Sequence, residues 1–106
     1  MSSVANDEPR WTGGSLPPNV RLGRGTLITG DRWTDDQVFR KFRSKLDPAL
    51  VIGERCRMDG VLFNVGEQGR IAIGDDCRFE EAFLICEQEI RIGDRVTIGW
   101  RATIVD

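Results

Sequence analysis

Few residues in this chain have the chemistry of a reactive site, and the most useful observation about them is an absence. None of the 106 residues is histidine. That removes the side chain most often used as acid or base near neutral pH, and the commonest zinc ligand. Cys56, Cys77 and Cys86 are 21 and 9 residues apart, which is neither a disulfide framework nor a CxxC metal site. Cys86 falls near a corner of the pattern described below, with no basic neighbour placed to favour its thiolate, and reads as corner or core filler. Asp75 and Asp94 each follow a glycine and read as makers of turn hydrogen bonds. There is no Walker loop, and "GRG" at 23–25 is a corner, not a phosphate cradle.

The composition narrows the field further. Fifteen basic against seventeen acidic residues leave a net charge of -2, which gives no electrostatic reason to expect nucleic acid or an acidic membrane as partner. Apolar runs are only a few residues long, too short to span a bilayer. Residues 1–15 read as a polar tail without the apolar stretch of a signal peptide, so the cytoplasm is the expected location. Residues 16–106 are enough for a single domain with a modest core.

What positions the few reactive groups is a repeat. Apolar residues open six-residue units at Leu22, Ile28, Ile52, Met58, Ile73, Phe79, Ile85, Ile92, Ile98 and Ile104. Glycine follows directly at Gly23, Gly53, Gly74, Gly93 and Gly99. Four residues after a start comes a small or apolar side chain: Thr26, Cys56, Leu62, Cys77, Phe83, Val96 and Ala102. Arg32 and Glu89 are the exceptions, each beside a slip in the count. A period of six does not match a helix, and strand alternation holds only locally. Short strands joined by tight corners fit both facts: each apolar start points inward, and the glycine allows a backbone conformation that a Cβ would penalise.

Three such sides close one triangular coil of about eighteen residues, and coils stack at roughly the 4.8 Å spacing of adjacent strands. "VRLGRGT", "LVIGERC", "IAIGDDC" and "IRIGDRV" are four copies of one corner, giving an all-β parallel β-helix of about four coils. Cys56 and Cys77 then stack as reduced core side chains. The longer interval after the first copy, residues 30–48, holds a helical insertion. Thr34 and Gln37 offer a capping box, Val38, Phe39, Phe42 and Leu46 share a face, and Pro48 ends it, so a helix is expected from about Asp35 to Lys45. Arg40, Lys41, Arg43 and Lys45 read as its solvated face, with phosphate binding as the alternative. Trp11 and Trp33 are expected to cover the open lower end.

The units "IGDDCR", "IGDRVT" and "IGWRAT" resemble the hexapeptide repeats of the left-handed β-helix acyltransferases, in particular the maltose and galactoside O-acetyltransferase, xenobiotic and polysaccharide acetyltransferase branch. The resemblance spans residues 16–106 and is a fold signal more than a substrate signal, because the repeat is a packing requirement. It implies a left-handed coil, a homotrimer with clefts between neighbouring prisms, acetyl-coenzyme A as co-substrate in the groove, and a hydroxyl- or amine-bearing small molecule or sugar as acceptor. No tightly bound cofactor is implied. A histidine would act as general base, with corner N–H groups steadying the oxyanion.

In the family that histidine follows a segment like "ATIVD", where this chain reaches Asp106. The chain is therefore expected to be catalytically incompetent, and to be a fragment, a frame cut short, or a natural short protein. Where relatives carry an asparagine one coil below, it has Glu80 and Glu81. Glu87 falls where some relatives hold an acceptor-binding aspartate, and also reads as a solvated corner residue. Glu87, Trp100 and Asp106 are the residues the resemblance brings to the acceptor or acyl-donor cleft; Trp100, facing outward, packs against a neighbouring subunit or lines that cleft. The zinc-dependent γ-carbonic anhydrase variant of the fold is closed to a chain without histidine. The alternative to an enzyme is a trimerising module, or one that stacks end to end through its uncapped last coil.

Overall fold

A computed structural model of the chain describes residues 7–30 and 35–106. Three parallel sheets form the sides of a β-solenoid of about four turns, 44 Å long and 28 by 27 Å across. The first face stacks β2 (Val20–Leu22), β4 (Leu50–Ile52), β7 (Arg70–Ile73) and β10 (Glu89–Ile92). The second stacks β1 (Arg10–Trp11), β3 (Leu27–Thr29), β5 (Arg57–Asp59), β8 (Arg78–Glu80) and β11 (Thr97–Ile98). The third stacks β6 (Leu62–Val65), β9 (Phe83–Cys86) and β12 (Thr103–Val105). Leu22, Ile52, Ile73 and Ile92 pair in one register, as the four copies of the corner require. Arg10 and Trp11, inside the stretch read as a tail, pair with Leu27 and Ile28 and form the lowest strand of the second face.

Alternation fills the interior. Leu50, Ile52, Ile71 and Ile73 enter from the first face, Ile28, Met58 and Phe79 from the second, and Phe63, Val65, Leu84 and Cys86 from the third; all are buried. Burying each large apolar side chain contributes roughly 1.5–3 kcal/mol. On the third face the expected phase is off by one in the second and third coils, whereas in the fourth Ile104 points inward as expected, paired with Leu84. Ile85, read as inward, lies half-buried on the outer side between the buried Leu84 and Cys86, and Val61 and Ala82 are buried where Leu62 and Phe83 were expected. The cause is a short corner: Ala82 turns inward three residues after Phe79, and losing one residue inverts the alternation that follows. Cys86 is therefore a core residue.

The corner between the first and second faces is the most regular. Its left-handed residue is not the glycine directly after the strand but the residue two further on: Gly25 (φ +73°), Arg55 (+57°), Asp76 (+58°) and Arg95 (+58°). Three non-glycine residues hold a conformation that costs on the order of 1 kcal/mol each. Each is fastened to the coil below, Arg55 N to Arg24 O, Asp76 N to Glu54 O and Arg95 N to Asp75 O, all at 2.8 Å. The repeated shape leaves Gly53 and Gly74 a different job: a Cβ on Gly53 would come within 2.7 Å of Gly74 O in the next coil.

Thr26 and the two cysteines complete the corner as a polar column. Thr26 Oγ1 donates to Gly53 O (2.6 Å) and accepts from Cys56 N (3.0 Å). Cys56 Sγ donates to Gly74 O and Cys77 Sγ to Gly93 O, each at 3.1 Å. Burial pushes the Cys56 thiol above its ordinary pKa.

The insertion folds differently from expectation. Among the described residues of the insertion only Asp36–Phe39 is helical (α1), with no side-chain cap; Thr34 and Trp33 lie outside the described residues. Beyond α1 the backbone joins the third face: Phe42 bridges Val65 in parallel, Arg43 N donates to Val65 O at 2.8 Å and Lys45 N to Glu67 O at 3.0 Å. The lower edge of β6 offers unpaired N–H and C=O groups, and satisfying them outweighs extending a short helix. Val38 is buried and Phe39 stacks on Phe63 at 5.6 Å, so the apolar face is used. Trp11 meets Phe39 edge-on at 5.1 Å.

Candidate functional site

The upper corner between the third and first faces brings together two of the three expected cleft residues. In the second coil this corner takes four residues, 66–69, between β6 and β7. In the third coil only Glu87 and Gln88 separate β9 from β10. The tight turn aims three successive N–H groups at one place, and the Asp106 carboxylate occupies it. Oδ1 accepts from Glu87 N at 2.9 Å, while Oδ2 accepts from Gln88 N and Glu89 N at 2.7 Å each. Such a nest favours negative charge. The backbone N–H of Glu87, then that of Gln88, holds the Asp106 carboxyl below its ordinary pKa.

Glu87, Gln88, Glu89 and Asp106 line an open cleft of about 400 Å³. The Glu87 carboxylate is exposed and lies over Gly66, where a Cβ would meet its Oε1 at 2.8 Å. Asp106 is thus a structural acceptor with its lone pairs engaged, poorly suited to take a proton at neutral pH. Cys86 Sγ lies 3.7 Å from Asp106 Oδ2, and burial pushes the thiol up, away from the thiolate a nucleophile needs.

Trp100 sits on a different edge of the prism, between β11 and β12, so the fold separates it from Glu87 and Asp106 within one chain. It is 61 % exposed. Its Nε1 donates to Glu81 Oε1 at 3.0 Å, and the Arg101 guanidinium lies 4.6 Å from the ring centre. Glu81 and Arg101 both have positive φ, +48° and +65°. Trp100 is the extra residue that lengthens this corner over the one below.

A second cleft, of about 450 Å³, was not read from the sequence. Arg10, Leu27, Arg55, Arg57, Asp76 and Arg78 line it together with Glu8. The signal was present as an arginine at one place in successive units, but reading it requires the pairing of β1 with β3. Arg55 is engaged there: its Nε and one Nη donate to the two oxygens of Asp76 at 2.8 and 3.0 Å, and the other Nη to Glu54 at 3.0 Å. The hydrogen bond to Arg55 holds the Asp76 carboxyl below its usual range.

Among the described residues no group of three histidine, cysteine, aspartate or glutamate side chains is placed to hold a metal, and no helix is long and apolar enough to cross a membrane. Comparison with protein-family models, with curated proteins and with solved structures returns no match.

Proposed function

We propose that this chain is a hexapeptide-repeat acyltransferase-type domain. It takes an acyl-coenzyme A donor, acetyl above all, in a groove between three copies, and faces a hydroxyl- or amine-bearing small molecule or sugar. The observation carrying the reading is the single register of Leu22, Ile52, Ile73 and Ile92, which turns the repeat on which the resemblance rests into stacked coils. These residues alone turn over no substrate: there is no histidine, Asp106 is held by three N–H donors, and all three cysteines are buried.

The test mixes the purified chain with acetyl-coenzyme A and sugar acceptors and follows free thiol, with calorimetry for coenzyme A binding. Coenzyme A binding without turnover is expected. Thiol release well above background overturns the claim of incompetence, and absence of coenzyme A binding overturns the donor assignment.

A second reading is a module that assembles with further copies of itself, for which the exposed Trp100 and Val105 offer apolar contact. Light scattering against concentration separates the two: a trimer of fixed mass supports the first, and mass that grows with concentration supports the second.

A further inference from the structure

The second face carries a row of arginines that its own carboxylates neutralise only in part, through the contact of Arg57 with Asp59. The register places Arg10, Leu27, Arg57, Arg78 and Thr97 one above another on its outer side. Arg57 and Arg78 are direct partners on adjacent parallel strands, whose backbones lie roughly 4.8 Å apart, and like charges at directly opposed positions are unfavourable. The next outward row is the reverse, with Asp59 paired to Glu80. Charge on this face is therefore sorted into a basic and an acidic row.

Two carboxylates line the cleft: Glu8 stands at its lower rim beside Arg10 and competes with an anion there, whereas Asp76 is committed. Asp76 is bound to Arg55 by two hydrogen bonds, and Asp59 accepts from Thr29 Oγ1 at 3.0 Å while lying 3.4 Å from Arg57. Among the described residues no carboxylate forms an ion pair with Arg78 or Arg10. The cleft is thus lined by two arginines rooted on adjacent strands, Arg57 and Arg78, with Arg10 two strands below Arg57. Backbone pairing of Arg10 N to Thr26 O (2.9 Å) and of Gly25 N to Asp7 O (2.6 Å) fixes that lower wall.

We propose that this cleft binds a phosphate group, free or carried on a small-molecule ester, between Arg57 and Arg78, with Arg10 closing it from below. Paired guanidinium forks match the tetrahedral oxygens of a phosphate, which two ammonium groups would meet only as point charges. Its two negative charges relieve the repulsion within the arginine row. The inference holds whether or not the chain transfers acyl groups.

The experiment is calorimetric titration of the full chain, in low-salt buffer free of phosphate and sulfate, with inorganic phosphate and then with glycerol phosphate. Saturable binding that weakens with added chloride is expected. Arg57→Gln and Arg78→Gln should each weaken it about tenfold or more. Arg78→Lys should also weaken it, because the charge stays and the fork is lost. Arg91→Gln, an exposed arginine on the first face paired to Glu89, should leave it unchanged. Circular dichroism accompanies each variant, and the lysine variant keeps the row's charge should a glutamine variant unfold. Tighter binding of the ester assigns the site to a phosphorylated metabolite, and equal binding to free phosphate. No saturable binding of either probe, or equal loss in Arg91→Gln, overturns the proposal.

Discussion

Gly74 and Gly93 occupy the same place in successive copies of one corner, in very different surroundings. A Cβ on Gly74 would lie 2.8 Å from Gly93 C and 2.9 Å from Asp94 N, backbone atoms of the coil above. A Cβ on Gly93 would meet nothing within 4 Å. Neither glycine has the positive φ that glycine alone adopts freely. The residue is therefore demanded by its neighbour across the coil spacing. The upper edge carries the same requirement without the neighbour that imposes it below.

The largest contrast between the two levels is in the core. Phe79 is fully buried in the third coil, and Ile98, its register partner in the fourth, is only half-buried. Phe79→Ala should cost about 3–5 kcal/mol, and Ile98→Ala about 1–2 kcal/mol, by urea unfolding. Equal losses would mean that the fourth coil is as enclosed in solution as the third.

The glycines give the next effect. Gly74→Ala forces the coils apart or shifts the Asp94 carboxylate, and should cost about 1–3 kcal/mol. Gly93→Ala should change stability by no more than about 0.5 kcal/mol, since it fills open space and stiffens the unfolded chain. If thermal melts show the two variants equally damaged, the upper edge is covered by another copy, and the stacking reading gains over the trimer.

How much of this was legible beforehand follows the same division. The regular corner could be read to the residue: Leu22, Ile52, Ile73 and Ile92 share one register because the apolar start and its glycine recur at every level. The third face could be read at Ile104 but not in the second and third coils, where its phase depends on a corner one residue shorter and nothing about Glu80 and Glu81 announces the deletion. The helix was overextended because Phe42 to Lys45 satisfy an edge supplied by Val65 and Glu67, a contact invisible until the coils are stacked. The site divided likewise. Glu87 and Asp106 come together through the turn, but the acceptor role of Asp106 depends on three N–H groups that carry no side-chain signal.

Acid should separate the levels less strongly. Asp76 and Asp106 have folded pKa values below the ordinary aspartate value, the first through its hydrogen bond to Arg55, the second through the N–H groups of Glu87 and Gln88. A depressed carboxylate stabilises the fold above its unfolded pKa, and that contribution is lost as pH falls through the folded value. Melting temperature should therefore hold steady near neutrality and drop as pH falls below about 4. Asp106→Asn and Asp76→Asn should each flatten part of the drop. An unchanged profile in Asp106→Asn would show that the nest does not hold its carboxylate in solution.

The smallest expected effect on the folded chain belongs to Trp100, and it bears most directly on whether the upper level is an interface. Its ring is mostly in water, and its ties, one hydrogen bond to Glu81 and a contact with the Arg101 guanidinium, lie at the surface. An exposed cation–π contact contributes about 0.5–1 kcal/mol, and truncation also removes the entropy cost of ordering the ring. Trp100→Ala should therefore lower the stability of the isolated chain by no more than about 1 kcal/mol. Assembly is another matter, because large aromatic side chains at the centre of a protein contact dominate its energy. A variant that melts like the parent yet sediments as a smaller species identifies Trp100 as a subunit contact. A variant unchanged in both measurements removes it from the interface.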